Sequence, residues 1–243
     1  MSIQQGDIFN IDGSAWIVVD AFHDRFGGSK TVHCAPILST PELHLDLDVE
    51  IGDQGVGASD SQLPMGIQPL GVKGFACLSL IQKQPREKLK VLVARAHAAQ
   101  LERIRQNLVT MFSVFSFDFD TVRRLPAPPD EPVAIYPGMI PTARGQRVCV
   151  VDHWGCFNGY PLLYVAPVEH DLPKPTPLDI DISSEYQDLF SGRCFVRTNE
   201  FFQVEQGLLK FDKREAIHML GYGLLRKISR AYALKFGQLT LLL

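Results

Sequence analysis

"QQGDIFNIDGSAWIVVDAFH", residues Gln4 to His23, is echoed further along by "YPGMIPTARGQRVCVVDHWG", residues Tyr136 to Gly155. Gly6 pairs with Gly138, Ile8 with Ile140, and Val18-Val19-Asp20 with Val150-Val151-Asp152, each at an offset of 132 residues. Self-similarity at a fixed period marks a repeated structural unit. The two stretches stay in step as the chain continues. "TVHCAPI" (Thr31–Ile37) and "LLYVAPV" (Leu162–Val168) both read as strands, with Ala35-Pro36 matching Ala166-Pro167 at offset 131. "LHLDLDVEI" (Leu43–Ile51) and "LDIDIS" (Leu178–Ser183) alternate apolar and acidic residues. That is the pattern of a strand with one wet face.

Each copy is expected to close on a helix. Over Ala94–Phe112, Leu101, Ile104, Leu108 and Met111 form one stripe. Over Asp212–Leu234, Ile217, Leu220, Leu224 and Ile228 do the same, with Asp212 placed to cap the first turn. Between the copies lies "RRLPAPPDEPVAIYPG" (Arg123–Gly138), five of whose residues are proline, which predicts an extended linker. The expected organisation is a first unit over 1–122, a linker over 123–135 and a second unit over 136–243. Runs of short strands followed by a helix predict a mainly β, α+β chain built from small barrels or curled sheets. "GDQGVGASD" (Gly52–Asp60) and "LPKPTP" (Leu172–Pro177) read as loops, and His23, Asp24 and Arg25 with Gly27-Gly28 as a solvated polar turn.

Bulk properties narrow the function. The 243 residues are 46% hydrophobic and 21% charged, as in a soluble globular protein. Net charge is −3 and the pI about 6.2, so no overall basic excess points to nucleic acid. The five cysteines are scattered, without a C-x-x-C pair, which favours reduced buried thiols over a zinc site or a disulfide framework. "MSIQQGDIFN" lacks the basic start and apolar core of a signal peptide, and no apolar run is long enough to span a bilayer. A cytoplasmic protein with no membrane partner is expected.

The order of elements resembles the MazF/PemK toxin family, whose SH3-like barrel is shared by CcdB. "GDIFNID" (Gly6–Asp12) matches that family's opening strand. "QRVCVVD" (Gln146–Asp152) resembles its "RP-x-V-V-V" strand, and "FVRTNEFFQV" (Phe195–Val204) its "V-R-T-D-Q" segment. "GLLKFDKREAIHMLGYGLLRKI" (Gly207–Ile228) resembles its closing turn and helix. The resemblance covers most of both halves. It implies two tandem SH3-like barrels that imitate a homodimer within one chain, with a further homodimer of whole chains allowed. It also implies cleavage of single-stranded RNA by attack of the ribose 2′-OH, without metal or other cofactor.

Carried over residue by residue, the chemistry survives in part. The family's two arginines fall on Arg147 and Arg197, whose planar guanidinium suits a phosphate. The position of a proposed base falls on Asn199, and an amide cannot take a proton at neutral pH. Glu169 and His170 are the nearby groups left to move protons, so the catalytic candidates are Arg147, Arg197, Glu169 and His170. Asn199, Trp154, Arg144 and Lys73 are the candidates for holding substrate. In the first copy the arginine of the "RP" strand becomes Ala15, and Lys73 is the cation that remains. Glu169-His170-Asp171 has metal-ligand chemistry, but adjacent residues on a strand cannot all face one ion, so no metal is expected. His153, Trp16 and the charges on the first helix read as packing or wet-face residues. Two functions stay open: an RNA endonuclease with an altered site in the second half, or an inactive toxin-fold module gripping a protein such as an antitoxin peptide. A nucleic-acid-binding regulator is disfavoured by charge.

Overall fold

The first hairpin of the computed structural model follows directly from its turn residues. Strand β1 (Asp7–Ile11) runs into β2 (Ser14–Val18) with Ile11 opposite Ser14, leaving Asp12-Gly13 as a two-residue loop. Both loop residues have positive φ, 52° and 88°. Such a turn matches the twist of the flanking strands, and Asp-Gly is among its preferred sequences. The structure describes residues 3–20, 30–40, 46–52, 72–113, 124–125, 134–158, 160–185, 192–211 and 217–237.

The chain divides into two compact units: Met1–Leu108 with Leu234–Gln238, and Val109–Ala233 with Leu239–Leu243. In the first unit, β1 and β2 are joined by β3 (Thr31–Leu38), β4 (Val49–Ile51), β5 (Gly74–Ala76), β6 (Gln82–Pro85) and β7 (Val91–Arg95). The sheet order is β4-β5-β3-β2-β1-β7, antiparallel throughout, and β6 also pairs with β3. Along one edge β3 meets two short strands in succession. Thr31–Cys34 pair with β6, and Ile37–Leu38 pair with β5. Pro36 falls in the gap between them, so its missing N–H removes no ladder bond, and its carbonyl accepts from the Cys77 N–H at 2.9 Å. The core gathers Phe9, Val18, Val32 and Leu92, with Trp16 packed against it. Each such side chain buried contributes about 1.5–3 kcal/mol. Helix α1 (Ala98–Phe112) buries Ile104, Leu108 and Met111.

In the second unit, β9 (Thr142–Ala143) and β10 (Gln146–Val150) again close on a two-residue loop of positive φ, Arg144 at 52° and Gly145 at 79°. Strand β11 (Leu162–His170) follows, then β12 (Asp179–Asp181), β13 (Cys194–Arg197) and β14 (Phe202–Glu205). The order is β12-β13-β11-β10-β9, with β14 also on β11. Strand β11 pairs Leu162–Val165 with β14 and Val168–His170 with β13, and Pro167 again sits in the gap. One core of this unit gathers Met139, Val148, Val150, Leu163 and Val165. Another stacks Phe112 on Tyr232 at 4.3 Å, with Tyr164 and Phe201 meeting Phe112 at 5.4 and 5.3 Å.

Several expectations are revised in detail. The first helix starts at Ala98 and not Ala94, because Val91–Arg95 instead extend the sheet alongside β1. The last helix, α3, covers Tyr222–Lys235. Ile217 and His218 form β15, paired with β8 (Arg124–Leu125) at the start of the proline-rich stretch. Asp212, the polar turn at residues 23–28, residues 53–60 of the glycine-rich loop and most of the linker lie outside the described residues. The mainly β, α+β reading agrees with the structure. No helix among the described residues is long and apolar enough to cross a membrane.

Candidate functional site

Two of the four residues carried over for catalysis, Glu169 and Arg197, meet at the β11–β13–β12 side of the second unit. Antiparallel register sets Glu169 opposite Phe195 and Arg197 opposite Asp179. Arg197 therefore lies diagonal to Glu169 and beside Asp179, within reach of both carboxylates. Its Nη1 donates to Glu169 Oε2 at 3.0 Å and its Nε to Asp179 Oδ1 at 3.4 Å. The Arg197 side chain is 29% exposed, whereas that of Asp179 is 2% exposed. Partial burial works against the guanidinium charge, but Glu169, Asp179 and Glu200 outweigh it and raise the Arg197 pKa. Arg197 is thus a cation already neutralised by its own sheet.

The backbone after Arg197 is fixed by Thr198, whose hydroxyl donates to the Leu178 carbonyl at 2.5 Å and whose N–H donates to it at 3.1 Å. Asn199 follows in a single 3₁₀ turn and is half-buried. Just before the same strand, Arg193 donates to Asp181 at 2.7 Å and lies over the Phe195 ring at 4.8 Å. Burial pulls the Asp181 carboxyl up, but hydrogen bonds from Ser183 and Arg193 prevail and hold it at about 2. This side of the unit therefore carries Glu169, Asp171, Asp179, Asp181 and Glu200 around two arginines.

The other candidates are spread out. His170 ends β11 opposite Cys194 and is exposed. Arg147 lies on β10 opposite Thr142, half-buried, and its charge is felt at the Cys194 thiol, which burial pushes up to about 11. Arg144 is exposed on the hairpin loop, its guanidinium 5.7 Å from the centre of the Phe202 ring. Trp154 lies on α2 (His153–Phe157), half-buried and edge-on to Tyr160 at 6.2 Å. Lys73 is exposed just before β5 in the first unit. Glu169 and Arg197 are thus brought into direct contact by ion pairing. Among the described residues no three His, Cys, Asp or Glu side chains are grouped to hold a metal ion.

Two features escape sequence reading. Alternation predicts a wet face at Asp179, yet it is the buried partner of Arg197. Pairing "LDID" against "FVR" across two strands is the signal that would have found it. The second is Asp20, whose carboxylate is buried with His33 and Lys235. Its counterpart Asp152 is also buried. Asp152 Oδ2 accepts from the Tyr164 N–H at 3.3 Å, as Asp20 Oδ2 accepts from the His33 N–H at 2.8 Å. Asp152 Oδ1 also caps α2 through the Gly155 N–H at 2.7 Å.

Fold and site together define a mainly β protein of curled antiparallel sheets with a carboxylate-bound arginine on one of them. No family model matches the chain, and no curated protein matches it. Among the solved structures similar to part of it are two described as toxin or endoribonuclease. One is described as "Endoribonuclease from Mycobacterial species", at 14% identity and a TM-score of 0.35, covering 45% of this chain and 90% of that one. The other is "Mycobacterium tuberculosis toxin MazF-mt6", at 12% identity and a TM-score of 0.34, covering 42% of this chain and 96% of that one.

Proposed function

We propose that the chain is a toxin-type protein of the MazF/PemK kind, carrying two tandem copies of one barrel unit, that grips a protein partner and does not cut RNA. The observation that carries this reading is the occupation of Arg197. At the place where the family resemblance calls for a cation to meet a phosphorane, the guanidinium is held by Glu169 and Asp179. A phosphate there would have to displace carboxylates and would meet their repulsion. Asn199 offers no basic group beside it.

The duplication is supported by recurring geometry. Gly6 and Gly138 have φ of 88° and 85°. Their N–H groups donate to Val18 and Val150, and their carbonyls accept from Ala96 and Leu220. Both loops, Asp12-Gly13 and Arg144-Gly145, have positive φ at both residues. An antitoxin-like peptide is the kind of partner this reading implies. The nuclease reading draws on one observation, the exposed Arg144 on its loop near the Phe202 ring, with Arg147 on the following strand.

Incubation with mixed single-stranded RNA decides between them, comparing the parent with Arg147→Ala plus Arg197→Ala. Intact RNA with both proteins is expected. Cleavage by the parent that the double variant loses would sink the binding reading.

A further inference from the structure

Asp20 is 3% exposed, and the two groups nearest its carboxylate are equally buried. His33 Nδ1 lies 3.0 Å from Oδ2, and Lys235 Nζ lies 2.7 Å from Oδ1. Lysine is almost never fully buried unless paired, and removing two charges from water costs several kcal/mol per ion. This pair therefore needs close geometry. It also joins residues far apart in the chain. Lys235 is the last residue of α3, whose Tyr222–Ala233 portion belongs to the second unit, while Leu234–Gln238 belongs to the first. Position favours the cation too, since helix C-termini attract positive charge. A second fastening lies one residue on. Gln5 Nε2 donates to the Phe236 carbonyl at 3.1 Å and to the Val19 carbonyl at 2.7 Å, and Phe236 is fully buried. Asp20 meanwhile accepts the His33 N–H, and Val19 N–H donates to the His33 carbonyl at 3.0 Å. The same carboxylate thus ties β3 and the far end of the chain.

We propose that Leu234–Gly237, with Lys235 and Phe236 buried, is a strap that completes the first unit, with the Lys235–Asp20 ion pair as its fastening, so that β2 and β3 are locked only when the end of α3 is in place. The strap makes the first unit dependent on a segment more than two hundred residues downstream of the Asp20 it fastens. This inference rests on unit membership and contact geometry alone, and stands whether or not the binding reading holds.

Hydrogen exchange on the full-length protein tests it. Lys235→Met keeps the apolar stem and removes the charge, leaving Asp20 buried without its ammonium partner. Asp20→Asn plus Lys235→Met removes both charges while an amide oxygen can still accept from His33. The expected result is exchange at least about tenfold faster at the Val19 and His33 amides in Lys235→Met, with Val151 and Tyr164 in the second unit at parent rates. The double variant should recover most of the protection. Parent-like exchange in Lys235→Met would overturn the proposal, as would equal acceleration in the second unit or a double variant no better than the single. Should Lys235→Met not accumulate as soluble protein, the double decides: soluble recovery supports the strap, and continued insolubility overturns it.

Discussion

At the scale of single residues, an ion pair matters according to which partner is dry. Arg197 bridges Glu169, whose side chain is 35% exposed, and Asp179, which is 2% exposed. Losing Glu169 leaves Arg197 still bound to Asp179 and open to water. Losing Arg197 leaves a buried carboxylate without its cation. Glu169→Gln should therefore lower unfolding free energy by less than about 1 kcal/mol, the range of partly exposed pairs. Arg197→Ala should cost about 2 kcal/mol or more, because the uncompensated group is buried. Urea unfolding of both variants checks the order, and equal losses would contradict the geometry. This ranking could not be taken from the sequence. The motif marks Arg197, and alternation in "LDIDIS" places Asp179 on a strand. Only the register, Arg197 against Asp179, shows that the acidic face is dry at that point. His33 and Lys235 were illegible for a related reason: nothing local to either residue reports a partner so distant in the chain.

At the scale of elements, turns follow from local residue chemistry and helix starts do not. Asp12-Gly13 and Arg144-Gly145 each hold a glycine where φ must be positive, and both hairpins close there. Helical spacing instead ran too far upstream, because Val91–Arg95 fits either period and the open edge of β1 decides the matter. The matched glycines at positions 6 and 138 show how one backbone solution sits in two packings. Both have positive φ, so an added Cβ is strained at either by about 1–2 kcal/mol. At Gly6 the nearest atom to that Cβ would be Leu101 Cδ1 at 3.5 Å, an ordinary contact. At Gly138 it would stand 2.8 Å from Leu225 Cδ2 and 3.4 Å from Leu220 Cβ, so the buried Leu225 side chain must shift. Gly138→Ala should therefore be the more destabilising by about 1 kcal/mol, the lower range of overpacking costs. Thermal unfolding of the two variants measures the difference, and a larger loss at Gly6 would refute the packing argument.

At the scale of the whole molecule, the order β4-β5-β3-β2-β1 in the first unit parallels β12-β13-β11-β10-β9 in the second, yet the two units differ in their buried charges. In the first unit Asp20 is ionised, its pKa lowered far below the ordinary carboxylate: burial opposes this, but Lys235 and His33 prevail. In the second unit Asp152 is raised by burial to about 7, against the pull of the Gly155 and Tyr164 N–H groups. Its neighbour His153 is lowered by burial to about 4. The signs of their linkage to stability are opposite. Asp152, raised from 3.8, contributes stability that is present below that value and lost as pH rises through about 7. His153, lowered from 6.5, contributes stability that is present above that value and lost as pH falls through about 4. Between about pH 4 and 6.5 the native state holds a proton on Asp152 that the unfolded chain has released, and lacks one on His153 that the unfolded chain has bound. The two effects cancel in slope across that window. Asp152→Asn removes one of them. An amide oxygen can keep the Gly155 cap, and any loss at the Tyr164 N–H is independent of pH. The variant's unfolding free energy, measured by urea titration from about pH 4 to 6.5, should rise relative to the parent by about 1.4 kcal/mol per pH unit. Parallel curves for parent and variant would overturn this by showing that Asp152 is ionised in the fold throughout the window, as Asp20 is.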